Sequence, residues 1–166
     1  MRDHIETLRR LGACDGPDGA IQWAVQYPDA RSAWDACHRG DWLAWYVGAV
    51  ARRTTDGSPE HRRAVLIACL CARTAPHLLA ADERAISLLE EWAWGGADRR
   101  QDAYWIAAAY AVYAAAEAAT EPGYTAEAAT TAATSCAYAG KLTFDRCLAD
   151  LADLIRSAIP TPPEVP

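Results

Sequence analysis

Ser58-Pro59-Glu60-His61-Arg62-Arg63-Ala64-Val65-Leu66-Ile67-Ala68-Cys69-Leu70-Cys71-Ala72 is the stretch on which the fold turns. Ser58 supplies a capping hydroxyl, and Pro59 follows as the one residue whose missing N–H costs nothing at the first helical position. From Ala64 to Ala72 every side chain is apolar, so a helix here has no face to offer to water. The run is also too short to cross a bilayer, which takes about 20 residues. It is therefore expected to be the buried central helix of an all-α bundle, covered from several sides.

The flanking segments supply the covering helices. Upstream, Ile5, Leu8 and Leu11 recur at helical spacing in residues 2–11. Gly12, Gly16, Pro17 and Gly19 then break the pattern before a short helix with Ile21, Trp23 and Val25, which predicts a helical hairpin. Asp29 is placed to cap a segment carrying Ala33, Trp34 and Cys37 on one side, with Gly40 as its stop. Asp41 is then expected to cap the next helix, whose Trp42, Leu43, Trp45, Tyr46, Val47 and Val50 predict deep burial.

Downstream, Pro76 should end or kink the central helix, and Asp82 should cap one bearing Ile86, Leu89 and Trp92, closed by Gly95-Gly96 in a left-handed turn. Residues 98–120 read as one long helix with alanine at ten of the 18 positions from Ala103 to Thr120. Trp105, Ile106, Tyr110, Val112 and Tyr113 are expected on one side of it. Glu121-Pro122-Gly123 is a turn, and the alanine-rich stretch 126–139, closed by Gly140-Lys141, should pair antiparallel with the helix before it.

Phe144, Cys147, Leu148, Leu151, Leu154, Ile155 and Ala158 form the apolar stripe of a last, amphipathic helix. Pro160, Pro162, Pro163 and Pro166 forbid its continuation, so the tail is expected to be extended or disordered. No strand-length alternating run occurs. The whole reads as a single compact bundle of about eight helices over residues 1–159, with a Pro-rich tail at 160–166.

The chain has 166 residues, enough to bury a core without disulfide or metal staples. Its apolar fraction of 52% owes much to alanine, which favours helix more than it gains from burial. A net charge of −6 with Lys141 as the one lysine argues against a nucleic-acid or anionic-membrane partner. The negative balance suits solubility; it would equally suit a protein that blocks a basic, nucleic-acid-handling partner. Met1-Arg2-Asp3-His4 is not a secretory start, so a cytoplasmic setting and reduced thiols are expected, with at least four of Cys14, Cys37, Cys69, Cys71, Cys136 and Cys147 buried as small hydrophobes. Cys69 and Cys71, two apart on a helix, diverge by about 200° and cannot share a metal.

No catalytic constellation emerges. His4, His38, His61 and His77 fall in different elements, and none has a His or carboxylate partner at the i,i+4 spacing of a helical metal site. A phosphate loop, a nucleophile elbow and a distinctive carboxylate pair are missing too, so no cofactor, metal or enzymatic role is expected. The one dense segment runs from Trp34 to Trp45, where Trp34, Trp42 and Trp45 surround a glycine turn beside His38, Arg39 and Asp41. It reads either as a helix corner whose indoles fill the core or as an exposed binding patch, because Trp and Arg are favoured interface anchors. Asp98, Arg99 and Arg100 form a second charged cluster, read as helix capping or partner recognition.

Trp34-x-x-Cys37-x-Arg39-Gly40-Asp41-Trp42-Leu43-x-Trp45, Ala68-Cys69, Trp92-Ala93-Trp94-Gly95, the alanine-rich helices and Leu154-Ile155-Arg156-x-x-Ile159-Pro160 follow one another in an order that resembles the Imm5-like immunity proteins. The resemblance spans roughly residues 30–160, and its specific part is the Cys37-x-Arg39-Gly40-Asp41-Trp42-Leu43-x-Trp45 corner. It implies a small helical protein that binds and silences a toxin, nuclease or other effector protein. A phage-encoded, anti-CRISPR-like anti-defence protein is the nearest alternative. A small-molecule-binding helical module is another, and would require a closed apolar pocket. Homodimerisation through an alanine-rich face is also open.

Overall fold

The computed structural model describes residues 3–75, 78–107, 110–139 and 142–165. Among them are ten α-helices and no strand: α1 (Asp3–Leu11), α2 (Ala20–Ala24), α3 (Ala30–Ala36), α4 (Gly40–Ala51), α5 (Pro59–Arg73), α6 (Ala80–Ala93), α7 (Arg100–Ile106), α8 (Tyr110–Ala118), α9 (Thr125–Tyr138) and α10 (Phe144–Ala158). A 3-10 turn over Pro122–Tyr124 joins α8 to α9.

The expected central helix is α5. The Ser58 hydroxyl accepts from the His61 N–H at 3.1 Å, and Pro59 occupies the first turn. Ala64, Val65, Ile67, Ala68, Cys69, Cys71 and Ala72 are all buried, since α4, α6, α8, α9 and α10 pack around the helix. Each Val or Ile so enclosed contributes roughly 1.5–3 kcal/mol relative to an exposed one. The alanines contribute mainly by letting the neighbouring backbones come close.

Close approach is sharpest at two glycines of α4. A Cβ on Gly40 would stand 2.6 Å from the Leu151 Cβ and 2.8 Å from the Leu148 carbonyl oxygen, so α10 crosses α4 in direct backbone contact. At Gly48 the Pro122 carbonyl would collide with a Cβ, which seats the α8–α9 turn on the middle of α4. The alanines of α8 and α9 lie inside this same packing, with Ala111, Ala114, Ala115, Ala118, Ala128, Ala129, Ala132 and Ala133 buried.

Several local expectations are corrected by this packing. Gly40 does not stop α3, which ends at Ala36; it is the first residue of α4, selected by the contact with α10. Asp41 is accordingly one position inside the helix and does not cap it: its carboxylate pairs with Arg39 through Nε at 2.9 Å and Nη2 at 2.6 Å. Asp82 likewise lies inside α6 and reaches back to the Leu79 N–H at 3.0 Å. The long helix over 98–120 is two, because Ala107 adopts extended backbone (ψ 127°) after α7. Alanine's propensity is a weak preference, and packing of α7 on α6 and of α8 on α5 overrides it. That break leaves Trp105 and Tyr110 exposed, apart from buried Val112. Ten helices thus occur among the described residues where about eight were expected. Pro76, Gly140 and Lys141 lie outside the described residues.

Other caps fall where expected. Asp29 accepts from the Ser32 N–H at 2.7 Å. Beyond α6, the Gly95 N–H bonds the Trp92 carbonyl at 2.9 Å and the Gly96 N–H bonds that of Glu91 at 2.8 Å, with Gly95 at φ 95°, the two-bond left-handed helix end. In α10, Cys147, Leu148, Leu151, Ala152 and Ile155 are buried, while Phe144 and Leu154 at the edges of the expected stripe are exposed. Four cysteines, Cys37, Cys69, Cys71 and Cys147, are buried, and all six are free. No helix among the described residues is long and apolar enough to cross a membrane.

Replacing Gly48 by Ala should lower stability by about 1–3 kcal/mol, because the added methyl forces the α8–α9 turn off α4. Denaturant unfolding of the two proteins measures it, with Ser87→Ala on exposed α6 surface as the neutral reference.

Candidate functional site

The Trp-rich corner sits where α3, α4 and α10 meet, and it splits into a buried and an open half. Trp34 is 4% exposed and packs edge-to-face on Tyr46 with ring centroids 5.9 Å apart. Trp42 and Trp45, one helical turn apart on α4, are half-buried. Trp23 of α2 meets Trp42 edge-on at 6.0 Å, and the Arg39 guanidinium covers the Trp42 ring at 4.7 Å. His38 is exposed in the α3–α4 connection. Trp23, Trp34, Trp42, Trp45 and Tyr46 all face an open groove of about 1470 Å³ between α1–α2, α3, α4 and the segment after α10. All three indoles thus line the groove, Trp34 buried at its base and Trp42 and Trp45 half-buried on its wall.

That segment is ordered by the groove. The Trp34 Nε1–H donates to the Ile159 carbonyl at 3.3 Å, the Tyr46 hydroxyl donates to the Pro163 carbonyl at 3.1 Å, and Pro163 is buried. Val165 packs against Leu11, Ala49 and Val50. Nearby, Arg156 donates to the Cys37 carbonyl, tying the end of α10 to the α3–α4 connection. Burial pushes the Cys37 thiol up to about 11, so it stays protonated and unreactive at neutral pH.

Asp98, Arg99 and Arg100 lie elsewhere, and none of them lines the groove. Arg99 pairs with Asp102 at 2.5 Å. Arg100 is a tie between three elements. Its Nε and Nη2 bond Asp98, Nη1 and Nη2 bond Asp56 at 2.7 and 3.1 Å, and Nη1 also bonds the Ala119 carbonyl at 2.8 Å, while the guanidinium lies 4.2 Å from the Trp92 ring centroid. All five of its donors are engaged within the chain. Asp56 in turn approaches the buried His61, Oδ1 to Nδ1 at 3.1 Å, and His61 packs edge-on against Trp92. Trp92 thus sits under His61, Arg62 and Arg100 together.

Burial holds the His61 pKa below its ordinary 6.5, outweighing the attraction of Asp56, while the Arg100 hydrogen bonds hold Asp56 below the usual carboxylate range. Neutral His61 accepts the Gly57 N–H on Nδ1 at 3.3 Å. No group of three or more His, Cys, Asp or Glu able to hold a metal occurs among the described residues. His4 approaches the Ala24 carbonyl at 3.4 Å, and His77 lies outside the described residues.

A third feature was not legible in the sequence. Trp105 (74% exposed), Tyr110 (83%), Tyr138 (88%) and Leu79 (60%) stand at helix termini: the end of α7, the start of α8, the end of α9 and the position before α6. The antiparallel α8 and α9 bring the start of one beside the end of the other. Trp105 shares a shallow depression of α7 with Ala80, Ala81 and Leu88 of α6. The Cys136 thiol to the Thr74 carbonyl, 3.2 Å apart, links the ends of α9 and α5. The chain leaves the helix at Ala107, between Trp105 and Tyr110, and that break has no Gly or Pro to announce it.

Because the folded-state pKa of His61 is depressed, the unfolded chain binds the extra proton first as pH falls. Its stabilising contribution is complete above about 6.5 and declines below it. Unfolding midpoints measured between pH 7.5 and 5 should fall in the wild type and fall less steeply in His61→Gln; parallel profiles would exclude this titration. In comparison with known proteins, the chain matches no family model, no curated protein and no solved structure.

Proposed function

We propose that this protein works by stoichiometric binding of a protein target in the cytoplasm, in the manner of an immunity or inhibitor protein. The observation that carries the reading is that Leu79, Trp105, Tyr110 and Tyr138, each 60% or more exposed, stand at the start of α6, the end of α7, the start of α8 and the end of α9, the helix termini that meet at one end of the bundle. Large aromatic side chains left in water cost hydrophobic free energy, and Trp and Tyr are the usual anchors of protein interfaces. The charge of −6 adds long-range attraction toward a basic target such as a nuclease or other effector. The resemblance of the Cys37–Trp45 corner to Imm5-like immunity proteins supports the same reading, and a phage-borne anti-defence role would use the same surface. The groove over α4 is open and rimmed by charged side chains, which suits a chain segment better than an enclosed small molecule.

The test is capture of the target from lysate of the native host, followed by reconstitution from purified components. A 1:1 complex that abolishes the target's activity is the expected result. Trp105→Ala with Tyr110→Ala should weaken it by about 100-fold or more, the scale of losing two interface anchors at roughly 2 kcal/mol each. Failure to capture any protein, together with a small molecule released on denaturation, would overturn the reading.

A further inference from the structure

We infer that the groove along α4 is a receptor for a proline-rich segment, and that residues 160–165 of the chain itself occupy part of it in cis. The inference does not depend on the inhibitor reading, whose surface lies on α6, α7, α8 and α9.

Three observations combine. First, the wall that receives the segment is aromatic, formed by Trp34, Trp45 and Tyr46, and aromatic grooves bind polyproline conformations by stacking against pyrrolidine rings. Second, the hydrogen-bond chemistry is one-sided. Trp34 Nε1–H and Tyr46 O–H are both donors, and they engage main-chain carbonyls four residues apart, at Ile159 and Pro163. Prolines bring carbonyls but no N–H, so Pro162 and Pro163 can settle here, Pro163 buried, without leaving a donor unsatisfied, while the N–H-bearing Thr161 stays exposed. An ordinary peptide would bring N–H groups for which the Trp34 indole offers no acceptor and Tyr46 only its one hydroxyl oxygen.

Third, the segment tracks the helix: Pro163 is held at Tyr46, and Val165 reaches Ala49 and Val50 further along α4. The chain bends at Pro160 and Thr161 on leaving α10, and Pro162, which precedes Pro163, is confined to extended or polyproline backbone from there on. The groove remains open beside the segment, toward Trp23 and Trp42, so a second proline-rich strand can enter from that side and displace the first. The partner is thus a protein carrying a short proline-rich stretch, admitted when the cis segment lifts.

The probe is a fluorescein-labelled synthetic peptide, Ile-Pro-Thr-Pro-Pro-Glu-Val-Pro, titrated into the full chain. The cis segment competes at millimolar effective concentration, so the wild type should bind it weakly. Pro163→Asp, whose own segment docks poorly, should bind it at least tenfold more tightly, and adding Tyr46→Phe should reverse that gain. Equal binding by wild type and a Pro163→Asp variant that keeps its helical circular dichroism would overturn the inference. A second measurement covers misfolding of the variant: millimolar peptide added to the wild type should shift the Trp34 indole N–H resonance, and the peptide with every proline replaced by alanine should not. Equal shifts from both peptides, or none from either, would also overturn it.

Discussion

Enclosure of α5 is the constraint on which the rest of the structure depends. A helix with no polar face from Ala64 to Ala72 can be stable in water only if other elements cover it all round, and α4, α6, α8, α9 and α10 do so. Five neighbours fit around one helix only if their backbones come close, and that requirement explains the composition. Alanine fills the facing surfaces of α8 and α9, and glycine is placed at the two tightest approaches, Gly40 under α10 and Gly48 under Pro122. The alanine that biases the chain toward helix is thus the same alanine that allows the helices to meet.

Charged and aromatic groups are then sorted by whether the core needs them. Arg100 is held by Asp56, Asp98, Ala119 and the Trp92 ring, and ties the 54–57 turn, the α6–α7 connection and the end of α8 together. A fully engaged guanidinium of this kind fixes geometry between elements, and it has no donor left for a partner. Trp34 belongs to the same structural class, with its ring under Tyr46 and its N–H on Ile159. Trp42 and Trp45 face the groove, and Trp105, Tyr110 and Tyr138 face water. The surfaces available for recognition are the groove and the aromatic end, and they draw on different helices.

Legibility of the candidate site followed from how local its determinants are. The Trp34–Trp45 corner is contiguous in the chain, so its concentration of indoles stood out, yet which indole is core and which is wall depends on α2, α10 and residues 159–165. The aromatic end is assembled from residues 79, 105, 110 and 138, too dispersed for any pattern to join. The Arg100 cluster was visible as charge, whereas its partners Asp56, His61 and Trp92 were not, because they approach from a different turn and two different helices.

By itself the sequence determined the all-α class, the central place of α5, the caps at Asp29 and Ser58 and the left-handed end at Gly95. Each follows from short-range physics: periodicity, propensity and the satisfaction of terminal N–H and C=O groups within a few residues. Tertiary structure alone decided the break at Ala107, the placing of Gly40 inside α4 rather than before it, and the seating of residues 159–165 on Trp34 and Tyr46. In those places local preferences are nearly balanced, or absent, and contacts between residues up to 125 positions apart settle the outcome.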